Sequence, residues 1–435
     1  MIVTVSPAKT IDGVVTLPGD KSVSHRYGML GAIAEGVTTI HNYSTGADCQ
    51  STLGCMQALG AKVERIPGDE GLPGKIVIHG GALRAPAGQL DAGNSGSTIR
   101  MLSGILAAQN FDSRIAGDES LARRPMDRVI KPIALMGGNI EALQREGRSY
   151  PPLTIHGRQL QGIDYTPPMA SAQVKSCVLL AGLFAKGDTI VRESIQTRDH
   201  TEIALKEFGA DIETMKRAIT LREGAKLTGR ELMVPGDISA AAFFLVAALV
   251  MPQAELIIRN VGLNPTRAGL LDFLTSMGAQ IKILDIKQSG GEVIGDLRVR
   301  GASSGRIRGG VIEGALTAAL IDEIPALAVL GAHSENGLVV RDAAELRVKE
   351  TDRIATIESN LRRMGVEIES SPDGFRIPGK QTFHAAEIES EGDHRIAMAF
   401  AVAALAADGP STIREAECAG VSFPEFFDTL RAIAH

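Results

Sequence analysis

The apolar and polar positions of this chain repeat. A polar or charged opener leads into an Ala/Leu-rich stretch with apolar residues at i, i+3 and i+4. A β-branched stretch follows, then a second helical stretch that ends at a Gly-Ala-type turn before further strands. One copy runs from Lys21 and Ser22 through Leu30, Ala32 and Ala34, a strand over residues 37–40, a helix over 51–59, and then Gly60 and Ala61. Similar repeats open at Gly96 and Ser97, Ser171 and Gln173, Ile238 and Ser239, Asp322 and Glu323, and Asp393 and His394. Their second helices run into Gly137, Gly209, Gly278 and Gly365, and the last reaches the end of the sequence. The spacing is about 40 residues, in the range of repeat architectures.

Period-two strands at residues 75–79, 189–192, 255–259 and 337–340 alternate with these helices, which predicts the α/β class. Repeats of β-α-β-α-β-β type would place their central helices under a sheet. Helix starts could then converge on the gap between domains, where unpaired backbone N–H groups and the positive dipole end attract anions.

A length of 435 residues exceeds one ordinary core, so two domains of roughly 200 residues are expected. The phrase at residues 17–22 (LPGDKS) is echoed at 234–239 (VPGDIS), and each breaks a strand pattern before a new helix. These are candidate crossovers. They predict one domain over residues 20–234 and a discontinuous one over 1–19 and 235–435, with short N-terminal strands near 3–5 and 14–17 joining the latter.

Hydrophobic content of 44% and charged content of 22% are globular values, and with no Trp and only 4% aromatics the core must be aliphatic. The apolar run at 240–251 is too short to cross a bilayer and is expected as a buried helix, not a membrane anchor. A net charge of −6 argues against a general nucleic-acid binder. Cys49, Cys55, Cys177 and Cys418 lack metal-ligand spacing and are expected as small apolar residues. The N-terminus has no secretory pattern, so cytoplasmic residence is expected.

Chemistry concentrates in the openers. Lys21, Ser22, Ser24, His25 and Arg26 crowd two cations beside a helix start, where a cation opposes the dipole unless an anion is near. Residues 93–100 (GNSGSTIR) form a Gly and hydroxyl loop feeding a helix, which suits phosphate or carboxylate but is also ordinary N-cap chemistry. Arg123 and Arg124 add cations downstream. Ser171, Ala172, Gln173 and Lys175 open the third helix, and Arg198, Asp199 and His200 follow its strand. Asp322 and Glu323 put two carboxylates at the fifth start. Residues 347–353 (RVKETDR) fit a solvated helix face as well as a site when taken alone. Residues 391–395 (EGDHR) press charge against a strongly apolar stretch, which solvation explains less well. The fourth opener, Ile238 and Ser239, is bland and reads as structural. Lys21, Arg124, Arg353 and Arg395 are thus candidates for anions, with Asp322 and Glu350 as proton carriers. The chemistry inferred is general acid/base work on a multiply anionic small molecule.

The phrases at 19–26 (GDKSVSHR), 93–100, 347–353 and 392–395 (GDHR), in this order, resemble those of the 5-enolpyruvylshikimate-3-phosphate synthases, of the enolpyruvyl transferase family, over essentially the whole chain. The resemblance implies a two-domain fold, each domain three β-α-β-α-β-β units around a pseudo-threefold axis, closing on substrate. It implies transfer of the enolpyruvyl group of phosphoenolpyruvate to the 5-hydroxyl of shikimate 3-phosphate with release of phosphate, in aromatic amino-acid biosynthesis. Neither metal nor cofactor is implied, and a monomer is expected. Shikimate 3-phosphate would meet Lys21, Ser22, Arg26, Ser171, Ala172, Gln173, Arg198, Asp322 and Lys349. Phosphoenolpyruvate would meet Lys21, Asn94, Gly96, Arg124, Gln173, Arg353 and Arg395. Asp322 would take the 5-hydroxyl proton and Glu350 would protonate the methylene carbon, with Lys21 catalytic between the two substrates.

Two departures stand out. Ser95, Ser97 and Thr98 replace a more common Ala-Gly-Thr-Ala loop, and Val421 and Ser422 stand where many members have a Lys. UDP-N-acetylglucosamine enolpyruvyltransferase shares the architecture, but the loop cysteine that marks it has no counterpart in residues 117–125.

Overall fold

A computed structural model describes residues 1–68, 74–302 and 306–435. The α/β class is found, and its repeat is clear in the hydrogen bonding. Strand Leu90–Asp91, helix Gly96–Ala107, strand Ser113–Ala116, helix Asp127–Leu135 and the hairpin of Asn139–Arg145 with Arg148–His156 make one β-α-β-α-β-β repeat. Its first two strands pair in parallel, as a helical crossover requires, and the hairpin adds on antiparallel. Among the described residues, five four-stranded sheets share this strand order and a sixth has three strands.

The chain divides into two compact units. The first comprises Met1–Pro18, Pro235–Gln288 and Val293–His435; the second comprises Gly19–Val234 with Ser289–Glu292. Gly19 and the turn Ser289–Glu292 therefore group with the second unit, which the boundaries expected from the repeated phrase do not include. Within the first unit, Asp12–Thr16 pairs in parallel with Glu255–Gly262, and Ile2–Val5 pairs antiparallel with Ser411–Arg414. Within the second, Glu231–Met233 pairs in parallel with Gly36–His41. Strands remote in sequence thus complete the outer repeats of each unit.

Six inner helices begin at the six openers: Lys21–Ile33, Gly96–Ala107, Ala172–Gly182, Ile238–Val250, Ile324–His333 and His394–Leu405. Ile238–Val250 is buried at every residue, as a helix apolar on all sides must be. Each unit has its own aliphatic core, the first supplemented by Phe243, Phe244, Phe423 and Phe426, whose rings meet at 5.7–6.0 Å. The fifth repeat departs from the pattern, because a six-residue helix, Ala315–Leu320, precedes its inner helix. Six residues are too few to display a helical period in sequence.

Backbone approach, not side-chain volume, sets how the second and third inner helices meet. A Cβ at Gly104 would lie 2.1 Å from the carbonyl oxygen of Cys177, inside any tolerable contact. Gly104→Ala must therefore push two helices apart, and their starts carry candidate anion-binding groups. Overpacking of this kind costs about 1–3 kcal/mol. Denaturant unfolding of Gly104→Ala is expected to show a loss of that size, whereas Gly54→Ala, with no atom near its Cβ position, is expected to match the parent or exceed it.

Candidate active site

The helix starts of the second unit are tied to one another by side chains. Asp20 caps the first by accepting from the Val23 N–H at 2.9 Å, Ser95 caps the second from Thr98 at 3.0 Å, and Ser171 the third from Val174 at 3.4 Å. Lys21 begins the first helix and donates to Asp48 Oδ2 at 2.9 Å. Asp48 lies in the first turn of helix Ala47–Ala58. The anion that a cation at a helix start calls for is thus partly supplied by the protein, so the dipole argument alone does not demand a ligand at Lys21. Asp48 carries no signal in the sequence, since its role depends on a helix that is brought alongside only by folding.

Arg26 is nearly enclosed. Its Nε donates to Thr201 Oγ1 at 2.6 Å, Nη1 to the Ser22 carbonyl at 2.7 Å, and Nη2 to Ser176 Oγ at 2.7 Å. Burial, with nearby Arg198 acting the same way, lowers its pKa to about 10, which leaves it protonated at neutral pH. Three of its five N–H donors therefore serve the protein and hold Ser22 and the third inner helix.

The Gly and hydroxyl loop is cross-braced. Asn94 donates to Asp118 at 2.8 Å and accepts from Arg124 Nη2 at 2.8 Å. Gln173 donates to Ser97 Oγ at 3.0 Å and accepts from Arg100 Nη1 at 2.9 Å, joining the third opener to the second. A Cβ at Gly96 would come within 2.9 Å of Arg100 Nη1 and 3.6 Å of Arg124 Nη1, so the missing side chain leaves room for two guanidinium groups. Arg100 also belongs to this cluster, and its place there depends on Gln173, distant in sequence.

Lys175 behaves differently from its neighbours in the third opener. It is 1% exposed and pairs with Glu202 at 2.6 Å and Glu193 at 3.1 Å, so it belongs to the interior rather than to an anion-binding surface. Burial raises the Glu202 pKa against the pull of Lys175. Glu193 also accepts from the Thr197 N–H at 3.1 Å, and this steadies the turn that carries Arg198.

In the first unit, carboxylates and cations alternate around Arg353. This side chain is 1% exposed, donating to Asp393 Oδ2 at 2.7 Å and to Glu350 Oε2 at 2.6 Å, with Asp322 Oδ1 at 3.8 Å. Burial alone would lower its pKa, but Asp393, Glu350 and Asp322 outweigh that and raise it, so the guanidinium stays charged. Lys349 Nζ stands 3.5 Å from Asp322 Oδ1, and Arg395 Nη1 donates to the Asp322 carbonyl at 2.7 Å. Asp393, fully buried, also caps its own helix through the Arg395 N–H at 2.9 Å. Asp322, Lys349, Glu350, Arg353 and Arg395 thus form one cluster, although residues 347–353 alone were equally compatible with a solvated face. Val421 and Ser422 close the turn Ala416–Val421, and Phe423 packs 6.0 Å from Phe244 and 5.9 Å from Phe426.

The EPSP synthase family profile, described as 3-phosphoshikimate 1-carboxyvinyltransferase, matches residues 5–430. The chain belongs to the EPSP synthase family. A 3-phosphoshikimate 1-carboxyvinyltransferase of Solibacter usitatus (strain Ellin6076) is 61% identical over 99% of both chains, and one of Bacillus subtilis (strain 168) is 45% identical over 98% of both. A solved EPSP synthase from Acinetobacter baumannii covers 100% of this chain and 98% of its own at 43% identity and a TM-score of 0.86. The enolpyruvyl transferase NikO from Streptomyces tendae, 17% identical, covers 99% of this chain and 97% of its own at a TM-score of 0.79 and shares the fold. Membership in the EPSP synthase family makes the chain a transferase of aromatic amino-acid biosynthesis and does not favour the UDP-sugar enzyme.

Removing one partner of a buried ion pair costs about 3–5 kcal/mol, because the survivor keeps an uncompensated charge. Asp393→Ala is expected to lose stability of that order in denaturant unfolding, and Arg353→Met, Asp393→Leu together to lose less than Asp393→Ala alone.

Proposed function

We propose that this EPSP synthase family member transfers the enolpyruvyl group of phosphoenolpyruvate to the 5-hydroxyl of shikimate 3-phosphate, with the two clusters as its working parts. In the second unit, Ser171, Ala172, Gln173 and Arg198 hold the 3-phosphate and ring, assisted by Ser22, and Arg26 fixes Ser22 and the helix beside it. Lys21, Asn94, Gly96 and Arg124 serve phosphoenolpyruvate, together with Gln173 and with Arg353 and Arg395 of the first unit. Lys349 meets shikimate 3-phosphate and balances charge beside Asp322.

The observation that carries the assignment of roles is the pair of carboxylates around Arg353. Asp322 Oδ1 lies 3.5 Å from Lys349 and 3.8 Å from Arg353, and its carboxylate is placed here as the proton acceptor. Glu350 is held at 2.6 Å by a guanidinium, and a carboxyl that is to deliver a proton must first be released from such a partner. An arriving phosphoenolpyruvate carboxylate or phosphate competes for Arg353 and provides that release. The 5-hydroxyl then gives its proton to Asp322 as its oxygen bonds to C2 of phosphoenolpyruvate, while the methylene carbon takes a proton from Glu350, which is protonated from solvent once it is freed from Arg353. A tetrahedral intermediate results. The Glu350 carboxylate then takes back a methyl proton as the double bond re-forms and the C2–O bond to phosphate breaks, and the phosphate leaves with the proton held by Asp322.

A monomer is the expected working form. Cytoplasmic residence fits a biosynthetic enzyme in which, among the described residues, no helix is long and apolar enough to cross a membrane.

General acid/base steps contribute on the order of 10²- to 10⁴-fold each. Asp322→Asn and Glu350→Gln are each expected to lose phosphate release by that factor while calorimetric binding of shikimate 3-phosphate holds within a few-fold. Turnover at the parent rate in either variant would remove that residue from the mechanism. Phosphate release with UDP-N-acetylglucosamine and none with shikimate 3-phosphate would overturn the whole assignment.

A further inference from the structure

The fourth opener is not inert. Five of the six inner helices are capped by their own N-cap side chain: Asp20, Ser95, Ser171, Asp237 and Asp393. The exception is Ile324–His333, whose N-cap Glu323 makes no side-chain bond to its own helix. Pro325 occupies the second helical position and has no N–H to offer. Glu323 turns elsewhere. It is 3% exposed and accepts from Ser239 Oγ, the hydroxyl of the fourth opener. Ser239 Oγ in turn accepts from Arg267 Nη2 at 2.5 Å, and that guanidinium lies 3.6 Å from both Glu323 Oε1 and Asp237 Oδ1. Arg267 and Ser239 are buried as well.

This chain of charge-assisted bonds ends one residue from Asp322. On its other side, the Asp322 carbonyl is gripped by Arg395 at 2.7 Å and its carboxylate faces Lys349 and Arg353. Asp322 itself sits in a turn between two helices, closed by the Glu323 N–H donating to the Leu320 carbonyl at 2.9 Å. A turn between helices has fewer restraints than a helix interior, so its carboxylate direction depends on what holds the residues at either side.

We propose that Glu323, Ser239 and Arg267 are positioning residues that aim the Asp322 carboxylate. The inference rests on Asp322 being the proton acceptor. The bonds that a capping side chain usually spends on its own helix are here spent on an anchor in the neighbouring repeat. The anchor fixes the backbone beside the base without touching substrate. Misplacing a reacting group by about 1 Å can cost on the order of 10²-fold.

The test compares Glu323→Gln, Arg267→Met and Ser239→Ala with Asp322→Asn, measuring kcat, both KM values and calorimetric binding of shikimate 3-phosphate. Each of the three is expected to lower kcat about 10- to 100-fold with binding and KM changed less than about threefold. Ser239→Ala deletes a single hydroxyl and keeps the test available if the charged variants do not fold. Glu323→Gln, which can still accept from Ser239, is expected to retain more turnover than Glu323→Ala. Parent-like kcat in the folded variants, with Asp322→Asn inactive, overturns the positioning role alone. Equal losses of binding and turnover assign the cluster to general stability and also overturn it. Full turnover in Asp322→Asn overturns the reading of the base and the proposal that rests on it.

Discussion

A single guanidinium, that of Arg353, sets the terms for the first unit's chemistry. It is enclosed, and an enclosed charge is tolerable only when opposite charges surround it. Asp393, Glu350 and Asp322 meet that demand, and they come from the starts of the fifth and sixth inner helices and from the residues around 350. The need to neutralise one cation therefore gathers the carboxylates proposed to move protons. On the proposed reading an incoming substrate anion would displace Glu350 from Arg353.

The second unit is held by side-chain links of both neutral and charged kinds. Gln173 spans two openers, Arg26 joins the first opener to the third, and Lys175 with Glu193 and Glu202 braces the turn before Arg198. Gln173 and Arg26 reach the inner helix of another repeat, and the Lys175 cluster braces its own. Close backbone contact at Gly104 brings two of those starts together. Repetition supplies similar helix starts, and the differences among them supply the cross-links.

Much of this was legible in the chain before folding. The six openers fall at six helix starts because hydroxyl and acidic caps, apolar helical spacing and β-branched strands agree locally. The family phrases mark Lys21, the loop at Gly96 and the cluster around Glu350. What was hidden depends on distance in sequence. Asp48 neutralises Lys21 from another helix, Arg100 acquires its place through Gln173, and Lys175 resembles an anion grip until burial turns it inward. Ser239 reads as bland and structural, since nothing local shows that Glu323, 84 residues on, needs a donor.

The central claim is that substrate anion and Glu350 compete for Arg353. A crystal structure of Asp322→Asn, slowed enough to hold phosphoenolpyruvate and shikimate 3-phosphate together, tests it directly. The account predicts an Arg353 guanidinium in contact with phosphoenolpyruvate and a Glu350 carboxyl separated from it and facing the methylene carbon. Phosphoenolpyruvate bound away from Arg353, with the 2.6 Å Arg353–Glu350 bond intact, would contradict it.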